Sequence, residues 1–193
     1  NVDIDKNGHK VGTLMADWVR TGYHGTDITC GDTILSSNKF LVSRDDEEWL
    51  GDGVYFFQYP ADAKWWCSSI KILTDYYVLV APLESDLNYV FDLDNPEDII
   101  HFQEYAQKLG NRFKTRRDGE VRKLYNAVII KQIQATFKIK GLKPFAIITG
   151  SFNQNRLFPV LSDKRFNVKP KQVQYCVCDQ QCIKGIAVKE KVC

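Results

Sequence analysis

The apolar runs of this chain are short. The clearest, YYVLVAPL at 76–83, has the length of a strand and is bounded by Asp75 and closed by Pro82. Nothing approaches the roughly 18–20 apolar residues that a membrane-spanning helix needs. Further strand-sized runs are VYFF (54–57), NAVIIKQI (126–133), KPFAIITG (143–150), VQYCVCD (173–179) and KGIAVKE (184–190). Helix signals fall between them without a regular strand–helix alternation. Asn95 caps a helix with Pro96 at its first position and Glu97 and Asp98 in its first turn. Its apolar face is Ile99, Ile100, Phe102, Tyr105, Ala106 and Leu109, with Gly110 as the stop. Shorter helices are expected at LMADWV (14–19), at CGDTILSSNKF (30–40), where Asn38 can take the left-handed C-terminal position, and after Pro60, with Trp65 or Trp66 packing inward. Irregular mixing of this kind predicts an α+β fold with a mixed or largely antiparallel sheet rather than a doubly wound one.

Chain length permits such a core without staples. A chain of 193 residues buries about 70% of the surface its unfolded form exposes, and is expected to form one domain over 1–193, with a helical and basic insertion about 95–125. The formal charge of +2 is too small to argue for a nucleic-acid partner from bulk electrostatics. The six cysteines, Cys30, Cys67, Cys176, Cys178, Cys182 and Cys193, contain no CxxC pair and no zinc spacing, so no metal is expected. They read as reduced thiols of a cytoplasmic protein; a Cys178–Cys182 or Cys176–Cys182 bridge is the alternative. The first ten residues, NVDIDKNGHK, are polar, unlike a signal peptide, and an initiator methionine is expected to precede Asn1.

Two segments stand out together. Tyr23-His24-Gly25-Thr26 reads as a strand end running into a turn. Some thirty residues later, after a polar loop at 42–53, comes Gly51-Asp52-Gly53-Val54-Tyr55-Phe56-Phe57, followed by Ala61-Asp62-Ala63-Lys64-Trp65-Trp66-Cys67. Each alone is ordinary. With Ile34-Leu35 ten residues after His24, and with Gln174-Tyr175-Cys176-Val177-Cys178-Asp179 near the C-terminus, the set resembles the ADP-ribosyltransferase superfamily, in the branch typified by poly(ADP-ribose) polymerase catalytic domains. The resemblance covers about residues 22–67 and, more weakly, 172–179.

That resemblance implies a split mixed or antiparallel β-sheet core with flanking helices, and NAD as co-substrate. His24 would hydrogen-bond the adenosine ribose, and Gly25, followed by Thr26, would pair its backbone with the nicotinamide carboxamide. Tyr55 and Trp66 would flank the nicotinamide ring, and Arg44, in the loop 42–50 over the dinucleotide, would meet the pyrophosphate. Ala63 stands where the family has a serine hydroxyl. Gln174 stands where polymerising members have the catalytic Glu, so His24, Tyr55 and Gln174 form the implied catalytic set and poly-ADP-ribose elongation is not expected. Gln172, two residues earlier and on the same strand face, would read the acceptor; the plainer reading of the two is exposed glutamines on an edge strand. The implied activity is mono-ADP-ribosyl transfer to a protein or nucleic-acid acceptor, with no membrane partner, and by analogy a toxin, effector or defence role. A non-catalytic NAD or ADP-ribose binding module and an RNA 2′-phosphotransferase are the alternatives. The basic run Arg112, Lys114, Arg116, Arg117, Arg122 and Lys123 reads as a solvated loop or a phosphate contact. Phe91-Asp92-Leu93-Asp94 reads as a strand end leading into a helix, and His101 as a structural helix residue.

Overall fold

A computed structural model describes residues 3–4, 10–11, 17–44, 48–113, 126–153 and 171–193. His9, residues 14–16 and 45–47, and Lys114, Arg116, Arg117, Arg122 and Lys123 of the basic run lie outside the described residues; Arg112 lies within the last helical turn of Pro96–Phe113.

In chain order the strands are β1 (Asp3–Ile4), β2 (Lys10–Val11), β3 (Trp18–Asp27), β4 (Val54–Phe57), β5 (Tyr76–Ser85), β6 (Val90–Asp92), β7 (Ile147–Asn153), β8 (Lys171–Val177) and β9 (Ala187–Val192). The α-helices are α1 (Ile28–Ser37), α2 (Pro60–Trp65), α3 (Pro96–Phe113) and α4 (Asn126–Ile139). β1 and β2 pair with each other, and the other seven strands form one open sheet in the order β6-β7-β8-β4-β3-β5-β9. Only β6 and β7 run parallel; every other pairing in the sheet is antiparallel. The fold is thus α+β with a mixed, mostly antiparallel sheet. No helix among the described residues is long and apolar enough to cross a membrane.

Side-chain alternation divides the core between the two faces of the sheet. On one face Trp18, Val54, Phe56, Leu79, Leu83, Ile147, Tyr175 and Val177 pack with Ile34 of α1, Phe40 and Cys182. On the other, Phe91, Ile148 and Cys176 pack against Leu109 of α3 and Ile129, Ile130 and Ile133 of α4. Further along that second face, Phe57, Tyr76 and Val78 pack with Ala63 and Cys67. All six cysteines are free thiols.

Most helix signals hold. Asn38 ends α1 in the left-handed region at φ 52°, and the Asn95 side chain accepts from the Glu97 amide at 3.0 Å. Four expectations need correction. Residues 126–133 are not a strand but the start of α4. Their β-branched run has the right composition for a strand, but Ile130, Ile133 and Phe137 fall at i, i+3 and i+7, and burial of that stripe on the sheet decides for helix. Trp18 and Val19 are not helical; they open β3, where Trp18 is buried with its ring edge-on to Tyr175, centroids 5.4 Å apart. Gly110 does not stop its helix, because a helical glycine costs only about 1 kcal/mol and α3 runs on to Phe113. Strand β8 is interior, between β4 and β7, rather than an edge.

Glycine at 53 is required by packing. A Cβ there would lie 2.4 Å from the Cys176 sulfur and 2.9 Å from the Val177 carbonyl oxygen, and the latter belongs to backbone that the β4–β8 ladder holds in place. Gly53→Ala is therefore expected to destabilise the fold by about 1–3 kcal/mol, as overpacking does. Urea unfolding with an unchanged m-value checks this, and a wild-type midpoint would show that the ladder can yield.

Candidate functional site

Strands β3 and β4 touch at a single pair, Tyr23 opposite Phe57. Continued in register, Gly25 would face Tyr55. Instead β3 stays with β5 through Asp27, β4 stays with β8, and the two strands part. The Tyr55 carbonyl is not left bare, because it lies 2.8 Å from His24 Nδ1. A carbonyl only accepts, so His24 is protonated on Nδ1 and donates. The ring is wedged among Phe40 and Phe56, with centroids 5.0 Å and 5.7 Å away. Burial lowers its pKa from the ordinary 6.5, with the bond to Tyr55 opposing. The neutral ring then carries a lone pair on Nε2 that can accept from a ligand hydroxyl.

The parting of the strands opens a small cleft of about 50 Å³, lined by His24, Gly25, Glu48, Tyr55, Phe57, Trp66 and Gln174. Gly25 is buried because α2 lies directly on it: a Cβ would meet Cys67 Sγ at 2.5 Å and the Ala63 carbonyl oxygen at 2.8 Å. Beyond α2 the chain widens into a π turn, Trp66–Ile70, closed by Lys71 N to Trp66 O at 2.9 Å. That turn carries Trp66, half-buried, at the cleft wall, with Lys71 Nζ 4.9 Å from its ring centroid.

The opposite wall includes Glu48, the first residue of a segment, 48–51, that is held by two side chains. The Tyr55 hydroxyl donates to the Gly51 carbonyl at 2.8 Å and accepts from the Leu50 amide at 3.1 Å. Burial, with the nearby Cys176 and Glu48 adding, pushes this phenol well above its usual range, so it stays neutral. Trp49 Nε1 donates to Gln174 Oε1 at 2.6 Å. An indole N–H can only donate, which fixes the orientation of the Gln174 amide and leaves its NH₂ free to donate elsewhere. Ser43 Oγ donates to Glu48 Oε1 at 3.0 Å.

His24, Gly25, Tyr55, Trp66 and Gln174 therefore converge, although they come from β3, β4, the turn after α2, and β8. The other anticipated residues lie apart. Thr26 is buried in β3 opposite Tyr77, and Ala63 is fully buried beneath Gly25. Gln172 is 1% exposed, and neither its Oε1 nor its Nε2 has a hydrogen-bond partner among the described residues. Arg44 is exposed and does not line the cleft. It lines a separate groove of about 690 Å³ with Lys131, Lys138, Lys143 and Cys178, over a floor that includes Ile130 and Phe145. Lys131 reaches Asp52 in this groove at 2.9 Å. Phe91 and Asp92 end β6 and lead into α3 as expected, and His101 is exposed on α3. The residues that sequence reading missed are Glu48 and Trp49. Both sit in the acidic stretch SRDDEEWLGDG, where no periodicity marks one side chain from the next. Among the described residues no group of three or more His, Cys, Asp or Glu side chains could hold a metal ion.

A 110-residue stretch of the chain is 33% identical to the uncharacterized protein MJ0359 of Methanocaldococcus jannaschii, covering 54% of this chain and 51% of that protein. The chain thus spans about half the length of the curated relative it matches. No family model and no solved structure matches the chain.

Two outcomes follow from this geometry. Because the folded pKa of His24 lies below its unfolded value, the unfolded chain takes up the proton more readily. The stability tied to neutral His24 is fully present above about pH 6.5 and is lost as pH falls through the folded pKa. Denaturation at pH 7.5 and 5.5 should show this loss, and His24→Gln, which keeps a donor but cannot titrate, should reduce it; an unchanged pH slope would acquit His24. Tyr55→Phe removes both bonds to 50–51 and should cost about 1–3 kcal/mol while exposing this segment to limited proteolysis. Wild-type stability and cleavage would show that the hydroxyl does not hold it.

Proposed function

We propose that this chain transfers a single ADP-ribose unit from NAD to a macromolecular acceptor, protein or nucleic acid, releasing nicotinamide. The observation that carries the reading is the convergence in one cleft of His24, Gly25, Tyr55, Trp66 and Gln174, which the resemblance associates with NAD from separate parts of the sequence. The parting of β3 and β4 is consistent with the split-sheet core of an ADP-ribosyltransferase-like fold.

In this reading His24 Nε2 accepts from a ribose hydroxyl, the Gly25 backbone meets the carboxamide, and Tyr55 and Trp66 flank the nicotinamide ring. Aromatic surfaces suit a flat cationic ring and keep water from it. The Gln174 NH₂ donates to a ribose oxygen. Such contacts fix the ribose while its bond to nicotinamide loosens. The space of about 50 Å³ holds a few water molecules at most, so the cleft must widen for NAD to enter. Position 174 has no carboxylate to activate the hydroxyl of an attached ADP-ribose, which argues against chain growth. The groove with Arg44, Lys131, Lys138 and Lys143 would suit an anionic stretch of acceptor.

The closed cleft and the amide at 174 favour, as second reading, a module that binds NAD or ADP-ribose without turnover. An RNA 2′-phosphotransferase fits less well, since no Lys or Arg lines the cleft among the described residues. Incubation with labelled NAD and separate protein, RNA and DNA acceptors distinguishes these readings. Transfer should give nicotinamide release and single ADP-ribose adducts by mass spectrometry, and Tyr55→Ala should weaken NAD binding by about 1–3 kcal/mol through lost stacking. Calorimetric binding without nicotinamide would mean a binding module, and no NAD binding at all would end both readings.

A further inference from the structure

We infer that Glu48 is the catalytic carboxylate of this cleft, supplying from the 48–51 segment the negative charge that position 174 of β8 lacks; the inference rests on the NAD reading above. Among the described residues Glu48 is the only Asp or Glu that lines the cleft. It stands there with His24, Tyr55, Trp66 and Gln174, half-buried rather than waving in solvent. Its position is built from both sides. Ser43 Oγ holds Oε1 at 3.0 Å, and Ser43 is itself tied to Gly53 by reciprocal backbone bonds of 2.9 and 3.1 Å at the start of β4. On the other side Trp49, the next residue, is fixed to Gln174 at 2.6 Å.

The chemistry requires such a group, and Gln174 cannot be it. Its carbonyl oxygen already accepts from the indole and its other group is an N–H donor, so the neutral amide brings no negative charge to a ribose becoming cationic. In the proposed step the bond between ribose C1′ and the nicotinamide nitrogen breaks, and its electron pair leaves with neutral nicotinamide. The ribose passes through an oxocarbenium-like state whose positive charge faces the Glu48 carboxylate. The oxygen of the acceptor or of water then bonds to C1′, and its proton leaves to solvent. Glu48 ends the step unchanged. A fixed charge placed where opposite charge develops is commonly the largest single contribution to catalysis.

Glu48→Gln keeps size and the bond from Ser43 while removing the charge. It should leave NAD affinity by calorimetry within about threefold of the parent and lower nicotinamide release by about tenfold or more. Glu48→Asp, which keeps a charge that is less well placed, should fall between. Glu48→Gln combined with Gln174→Glu should recover part of the lost rate, which a merely structural role for Glu48 would not allow. Thermal melting verifies that each variant is folded, and the Asp variant carries the test if the Gln variant is not. Parental release by folded Glu48→Gln would overturn the role of Glu48 and leave the NAD reading standing. A loss confined to affinity would likewise make Glu48 a binding group only. Wild-type protein that fails to bind NAD, or binds it without releasing nicotinamide, would overturn the catalytic role together with the transferase reading.

Discussion

The hydrogen bond from His24 Nδ1 to the Tyr55 carbonyl is the interaction on which the site depends. Two antiparallel strands that part in mid-sheet leave backbone groups without ladder partners, and a buried carbonyl without a donor is costly. One side chain resolves this. Its ring spans the opening, satisfies the carbonyl, and packs among Phe40 and Phe56, so the gap becomes a stable feature of the core. The same bond sets the tautomer of the ring and leaves its second nitrogen as an acceptor. Structure and chemistry are thus joined in a single residue, and a ligand meeting His24 would meet a group whose other nitrogen is already committed.

The far wall of the cleft is organised on the same plan. Residues 48–51 are loop rather than helix or strand, yet they are tied by the Tyr55 hydroxyl and by the bond between Trp49 and Gln174. Leu50 is fully buried between these ties, in the cluster with Ile130 and Ile148. Such a wall can hold a carboxylate in place, because it is anchored at several points rather than one.

Much of the fold was legible where local chemistry and tertiary need agreed. Asn38 ends α1, and Asn95 with Pro96 begins α3; each acts on its own backbone within a few residues, so the signal is local. The start of α1 is not legible in the same way: the sequence predicts the helix from Cys30, and it begins at Ile28 on an Asp27 cap. Legibility failed where packing overrode propensity. Residues 126–133 have the β-branched composition of a strand, and only the sheet surface beneath them makes a helix the better burial. Trp18 belongs to a strand because Tyr175, distant in sequence, offers its ring. The resemblance implies Gln174 in the site and Gln172 at the acceptor, with an exposed edge strand as the alternative; β8 is instead flanked on both sides and both side chains are buried, Gln174 at the cleft and Gln172 away from it.

The sequence alone determined the α+β class, the helix starts at Pro60 and at Asn95–Pro96, and the helix end at Asn38. These follow from period and turn chemistry, which are properties of neighbouring residues. Only the tertiary structure decided which side chains share the cleft. Arg44 faces a separate groove, Thr26 and Ala63 are packed away, and Glu48 is, among the described residues, the one carboxylate that lines the cleft. The physical reason is that a cleft is made by two strands ceasing to pair, and what lines it depends on contacts between residues far apart in the chain. No local pattern in the sequence encodes where a ladder of hydrogen bonds will stop.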